Sequence, residues 1–545
     1  MVIKSTRAHA RYVSTPLIGT LVGVTLVFTA CHPSAVRQVG PSATDIPPEA
    51  QGPDASARQG VPDASAREVV PDALPGEAAD PVADLCARAP DDSATCEPNP
   101  KQATPVVREI PRRPTAGTFE VDSTSALIWA HSPVSTRARL DVQRAHSNRP
   151  GVAKRYLRVE KHYMKLPAEH GNTGVFLLNK LLPDQVYRYR VQTADGDGTD
   201  WFHLRTAPAD DADVPVHFVF GAEFSNDPRF FSPLLANMAR SGAAFFISLG
   251  DWPYTDLPVQ DRTVADYRAS HRLARALPET QRLLQALPLY AIYDDHDIKN
   301  DWDISLIEES PHRARAALQV WDEYFPVRDR RPDVMERKRY RTWRWGKHAQ
   351  FFMLDTRRYR SFFRDEDTGK KAMLGEVQLA WLKRELGKSD ATFKFILSTV
   401  PFDFGTTREH WRAYRFARKK LYDFLRDQRI SGVVFLTGDQ HWLSIHDLDT
   451  GHREYQVGPL QSFLRKPPEE RPDDVLFELA VQNYGEIMIT SGKDPRLVFT
   501  ARGENGELLY VDTLAPMVPA PADSAASKAG DKKSASRKIG KQVEE

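Results

Sequence analysis

The sequence predicts an α/β domain over residues 212–514, preceded by a small β-sandwich over residues 109–208. Three observations carry this. Five apolar runs, FVFGAE (Phe218–Glu223), FFISLGDWPY (Phe245–Tyr254), LYAIYDDHD (Leu289–Asp297), FKFILSTVP (Phe393–Pro401) and VVFLTGDQH (Val433–His441), read as strands buried on both faces. Amphipathic helical stretches lie between several of them, which brings the carboxyl ends of the strands to one crevice. Four of the five runs also end in oxygen or imidazole groups able to ligate a metal. That pattern points to a catalytic site rather than a binding surface.

The elements follow in chain order. Residues 1–31 set Lys4, Arg7 and Arg11 before an apolar core, Leu17 to Phe28, and close on Thr29-Ala30-Cys31. The core is too short to span a bilayer, so the segment reads as an export signal. Its small residues resemble the cleavage box of bacterial lipoproteins, which would leave Cys31 as the lipidated first residue and place the protein in the cell envelope. Phe28 stands where that box usually has Leu; an ordinary cleaved signal or a retained anchor are the other readings. Residues 32–108 are rich in Pro, Ala, Asp and Gly, with a loose nine-residue repeat from Gly52, and read as a disordered tether. Cys86 and Cys96 within it are either a local disulfide or two free thiols.

Residues 109–208 contain short alternating strands such as TSALIWAHS, KRYLRVEK and VYRYRVQTA. The stretch LLPDQVYRYRV with WFHLRTAP resembles the end of a fibronectin type III-like domain. No chemical cluster falls there, so its expected role is packing or substrate framing. In the α/β domain, helices are expected over Arg229–Ser241, Val264–Ala286, Pro311–Phe325, Glu376–Lys388 and His410–Arg429. The last carries Trp411, Tyr414, Phe416, Leu421, Tyr422 and Leu425 as a candidate buried stripe. Residues 515–545 read as a disordered tail. The formal net charge is +1, so charge gives no ground for a nucleic-acid partner, and the oligomeric state stays open.

Asp251 follows Gly250 at a strand end, where the missing side chain allows close approach of backbone and metal. A carboxylate there can bridge two cations, and Tyr254 can add a phenolate. Alone, the pair also fits a turn carboxylate. Asp294-Asp295-His296-Asp297, with Asn300 after it, is a stronger signal, because burying three carboxylates without cations is prohibitive. Asp439 and His441 lie two residues apart on an extended chain and so share one side, with Gln440 turned away.

LGDWPY, YDDHDIKNDW, FMLDTRRYR (Phe352–Arg360), MLGEVQLAWL (Met373–Leu382) and LTGDQHW, in that order, resemble the PhoD-like alkaline phosphatase family of metallophosphoesterases. The likeness covers roughly Pro111 to Leu514. It implies two mixed sheets flanked by helices, with two or more metal ions, iron and/or calcium, at the strand ends. It implies Asp251, Tyr254, Asp295, Asn300, Asp439 and His441 as ligands or near-ligands, with His296 contacting the phosphate and protonating the leaving oxygen. Arg357 becomes a candidate phosphate contact, against a salt bridge beside Asp355 as the alternative. One position departs: the family usually has a cysteine where this chain has Glu223. Carboxylate suits harder cations than thiolate does, so Glu223 is a candidate ligand that unsettles the metal's identity.

The implied activity is hydrolysis of phosphomonoesters or phosphodiesters by a metal-bound hydroxide in a multinuclear site. The rivals are an inert envelope binding protein on the same fold, which would bind metal without turnover, and another metal-dependent hydrolase, which would cleave amides or carboxylic esters.

Overall fold

The computed structural model describes residues 113–146, 155–256, 262–402, 404, 409–448, 451–469 and 473–517; the leader, the tether with its cysteines and the tail beyond 517 lie outside it. Seven strands come first: β1 (Thr115–Phe119), β2 (Ala126–His131), β3 (Thr136–Ala145), β4 (Tyr156–Leu166), β5 (Thr173–Leu178), β6 (Val186–Thr193) and β7 (Phe202–Arg205). β1, β2 and β5 lie side by side, and β4-β3-β6-β7 form a separate sheet. Alternate residues of β3 and β6, Leu140, Val142, Tyr189 and Val191, are buried in the core. The Tyr187 hydroxyl accepts the N–H of Leu182 at 2.8 Å, pinning the turn before β6 in the manner of immunoglobulin-like sandwiches.

The remaining strands are β8 (Val216–Gly221), β9 (Phe246–Ser248), β10 (Leu289–Ala291), β11 (Arg341–Trp345), β12 (Ala349–Met353), β13 (Phe393–Leu397), β14 (Val433–Thr437), β15 (Leu443–Asp447), β16 (Arg453–Gln456), β17 (Val475–Leu479), β18 (Asn483–Ile489), β19 (Leu497–Gly503) and β20 (Leu508–Leu514). They build two mixed sheets. One is ordered β20-β19-β18-β8-β9-β10 and continues through β1-β2-β5, because β1 pairs with β10 in parallel, Phe119 opposite Leu289. The other is ordered β11-β12-β13-β14-β16-β15-β17. The N-terminal sandwich is therefore an extension of the first sheet. The Trp129 indole N–H reinforces the joint by donating to the Glu323 carbonyl at 2.7 Å.

Period-two alternation explains why the central strands look apolar throughout. Phe218 and Phe220 of β8, Phe351 and Met353 of β12, Phe395 and Leu397 of β13, and Val434 and Leu436 of β14 fill the layer between the sheets. Their neighbours face outward into different cores, Val219 into the first and Phe352, Ile396, Val433 and Phe435 into a third. Phe218 stacks on Phe245 at 5.3 Å and meets Phe351 and Phe395 edge-on at 5.1 and 5.2 Å.

Helices cover the outer faces: α1 (Leu234–Arg240), α2 (Val264–Ala276), α3 (Pro278–Ala286), α4 (Ile304–Glu309), α5 (Pro311–Tyr324), α6 (Gly375–Lys388) and α7 (Arg415–Asp427). The single helix expected over Val264–Ala286 is two. Leu277 precedes Pro278 and is extended (φ −63°, ψ 131°), since the proline ring excludes the helical region for the residue before it. The stripe expected in the last helix also shifts. Ala417, Leu421 and Leu425 are its buried face, Trp411 and Tyr414 belong to the turn before it, and Phe416 is exposed. Among the described residues no helix is long and apolar enough to cross a membrane.

Candidate metal centre at the strand ends

Parallel β8, β9 and β10 of one sheet and β12, β13 and β14 of the other deliver their carboxyl ends to one edge of the domain. Five residues there adopt left-handed backbone although none is glycine: Glu223 (φ 56°), Asp251 (54°), Asp301 (56°), Asp439 (80°) and His441 (63°). Such conformations cost of order 1–3 kcal/mol each and persist only where the surroundings enforce them. The enforcement is visible in the bonding. The Asp297 carboxylate accepts the N–H groups of Asp251 at 2.7 Å, Asp294 at 2.9 Å and Trp252 at 3.3 Å, tying the ends of β9 and β10. Glu223 accepts the Asp439 N–H and ties β8 to β14. Gly250 (φ 101°) permits the approach: a Cβ there would lie 2.4 Å from that of Asp294.

Three sets of ligand atoms each fall within 4.8 Å of one another: Asp251, Asp295 and His296; Asp294, Asp295 and Asp439; and Asp295, Asp301 and Glu409. Asp295 belongs to all three. Asp251, expected as the bridging carboxylate, belongs to one set only. Asp295 also accepts the N–H of Asp301 at 2.9 Å.

The remaining candidates take distinct places. Glu223 is buried but in none of the three sets; one oxygen holds Asp439 and the other, Oε2, has no hydrogen-bond partner. His441 donates from Nδ1 to the Phe463 carbonyl at 2.7 Å, which leaves Nε2, 3.2 Å from the Tyr254 hydroxyl, facing inward. Tyr254 stacks on His296 at 4.4 Å. His296 Nδ1 lies 2.9 Å from Asp256, freeing Nε2 for a ligand or substrate. Asn300 is exposed and meets this group through its backbone N–H, 2.9 Å from Asp256.

Arg357 differs from its expected role as a phosphate contact. It is fully buried, and its guanidinium bonds Asp294 and Glu409, with further contacts to Asp439 at 3.1 Å and Asp295 at 3.4 Å. Its donors are spent on carboxylates, so the salt-bridge alternative describes it, with partners other than Asp355. Asp256, Asp301 and Glu409 are not among the residues the sequence singles out, and Asp294 stands in the acidic motif with no role assigned to it. Asp301 follows Asn300 directly and was within reach. Glu409 arrives on a loop after β13 with no apolar run to signal it.

Burial and crowding of like charge dominate the titration. Burial, then the charge of Asp295, pushes Asp251 up; burial, then Glu409, does the same to Asp439. Glu223 rises to about 8 through burial, with Asp294 and Asp295 adding to it, and Asp301 to about 8 through burial and Glu409. Burial opposes ionisation of Asp295 and Glu409 as well, but Arg357 together with His296 and the Asp301 N–H for Asp295, and Arg357 together with Arg360 for Glu409, outweigh it and both are held low. Burial depresses His441, with Arg465 second, so it stays neutral. Burial would also depress His296, yet Asp256, Asp295 and Asp251 together raise it. Carboxylates that would otherwise hold protons, a neutral imidazole and the orphaned Glu223 oxygen make a hard, oxygen-rich donor set fit for cations, and loading it expels protons.

Residues 218–483 match the model of the PhoD-like phosphatase family. Alkaline phosphatase D of Bacillus subtilis (strain 168) is 27% identical over 308 residues, 48% of this chain and 52% of that protein. The chain thus spans about half the length of the curated relative it matches. A solved structure of PhoD superposes with a TM-score of 0.63 at 18% identity, over 80% of this chain and 100% of the other. Purple acid phosphatase PPD1 from yellow lupin (Lupinus luteus) gives 0.55 at 10% identity, over 75% of each. The fold agrees with this, and over residues 218–483, just under half of the chain, the sequence is similar to the PhoD-like phosphatase family.

Proposed function

We propose that this domain hydrolyses phosphate esters with the aid of two or more bound cations. The observation that carries the reading is Asp295, one carboxylate shared by three sets of donors that each fit an ion. Cations held there would activate water and neutralise charge on the phosphoryl oxygens. The chain's own residues do the rest. Asp251, Asp294, Asp295 and Asp439 would hold the cations toward which the phosphate is drawn. Glu223 fixes the backbone of Asp439, and Asp297 fixes those of Asp251 and Asp294. His296, aimed by Asp256, holds a proton at Nε2 for the departing alcohol oxygen.

Both mono- and diesters fit this chemistry. Release of alcohol from one of each, followed before and after chelation and metal re-addition, is the test. Loss on chelation and recovery on re-addition is expected; cleavage of carboxylic esters or amides alone would replace this reading with a different hydrolase. We further propose export and a lipid anchor on Cys31, on the strength of the leader sequence. Intact-mass analysis of the mature N-terminus would show the diacylglyceryl adduct, or disprove the anchor by its absence.

A further inference from the structure

Arg357 is the arginine the sequence offers for phosphate, and its burial among carboxylates leaves that task open. A different guanidinium is mounted at the site. After β16 the chain crosses the strand ends and is fastened to them at successive residues. The N–H of Leu460 donates to the Ala222 carbonyl at 2.9 Å and that of Gln461 to the Glu223 carbonyl at 3.1 Å. Ser225 N–H returns a bond to the Gln461 carbonyl at 2.7 Å. The Phe463 carbonyl accepts His441 Nδ1–H at 2.7 Å, and Arg465 N–H donates to the His441 carbonyl at 3.2 Å. The backbone carrying Arg465 is therefore fixed to both ends of the metal centre, at Glu223 and at His441.

Its side chain has a seat as well. The Phe463 ring stacks on the His441 imidazole at 4.1 Å, and the Arg465 guanidinium lies over that same ring, 5.5 Å from its centroid. Arg465 is half-buried, and among the described residues no carboxylate stands within ion-pair distance of it. A planar guanidinium that is positioned by an aromatic face beside His441 and not spent on a carboxylate suits the oxygens of a bound phosphate.

We infer that Arg465 is the substrate-binding cation of this site, its guanidinium engaging the non-bridging phosphoryl oxygens from the Phe463 platform. This rests on the phosphoester reading above and assigns the contact that Arg357 cannot make. Such a group acts on substrate and product alike, so inorganic phosphate is the natural reporter.

The test compares wild-type protein with Arg465→Ala, Arg465→Lys and, as a control of equal charge change at an exposed neighbour, Lys466→Ala. Each is metal-loaded and assayed for KM, kcat, inhibition by inorganic phosphate, metal content and thermal midpoint. Arg465→Ala should raise KM and the phosphate inhibition constant about 10- to 100-fold, with metal content and midpoint unchanged. Arg465→Lys should recover part of the loss, and Lys466→Ala should match wild type. Unchanged phosphate inhibition in Arg465→Ala would overturn the assignment, as would lost metal, a lowered midpoint or an equal effect of Lys466→Ala. If wild-type protein turned over no phosphoester, the functional reading would fail first. Calorimetric titration of inorganic phosphate would then decide Arg465 separately: binding by wild type and not by Arg465→Ala sustains it, and equal binding by both rejects it.

Discussion

Asp295→Ala is expected to lower kcat/KM for a phosphate ester by at least about 10³-fold while leaving a folded protein. The size follows from position. Asp295 contributes a ligand atom to every acidic set at the strand ends, so its loss opens all three at once, whereas Asp251 and Asp439 each belong to one. The fold should tolerate the change for two reasons. Removing one carboxylate from a crowded, buried anionic group relieves repulsion with Asp251, Asp294 and Asp439. The interactions forfeited are the bond from Asp301 N–H, about 1 kcal/mol, and the longer ion-pair contact with Arg357 at 3.4 Å. Arg357 keeps Asp294, Glu409 and Asp439. Circular dichroism and a denaturant midpoint close to wild type, beside the lost turnover, would confirm this; near-normal turnover in a well-folded Asp295→Ala would reject the assignment.

The second large effect concerns His296. As the acid that protonates the leaving oxygen, its replacement in His296→Gln should cost about 10²–10⁴-fold in kcat for an alkyl phosphate ester. The loss should be much smaller for a nitrophenyl ester, whose alcohol departs without help. The pH profile supplies the sign. Burial alone would lower the imidazole below its ordinary 6.5, and the charges of Asp256, Asp295 and Asp251 more than reverse this. The protonated form therefore persists above pH 6.5, and kcat declines as pH rises through the elevated value. Cations on Asp251 and Asp295 would cancel much of their share, which leaves Asp256, 2.9 Å from Nδ1, as the lasting support. Asp256→Asn should move the alkaline limb to lower pH. A limb that stays in place, or a loss in His296→Gln independent of the leaving group and accompanied by lost metal, would make His296 a ligand instead.

The α/β architecture was legible because each central strand serves two cores. Phe218, Val219 and Phe220 alternate between layers that are both apolar, so no polar residue interrupts the run. The strand ends were legible for the opposite reason: charge begins abruptly at Glu223, Asp251 and Asp294. What stayed hidden depends on long-range placement. Glu409, Asp256 and Arg465 come from loops whose local sequence carries no periodicity, and only the fold brings them to the centre. Arg357 sits in a segment that matches a family pattern, yet its partners, Asp294 and Glu409, are 63 and 52 residues away in opposite directions along the chain. The break at Leu277 is signalled by Pro278 alone, within an amphipathic pattern that runs on either side of it.

The anionic groups of this pocket are tenable together when ions fill it, and metal content per chain tests that most directly. Elemental analysis of purified protein, repeated after exhaustive chelation and on Asp295→Ala, should find at least two cations per wild-type chain. Chelation should remove them and lower the thermal midpoint, and Asp295→Ala should retain fewer. A protein purified without bound metal that takes up none from solution, and whose midpoint chelators leave unmoved, would contradict it.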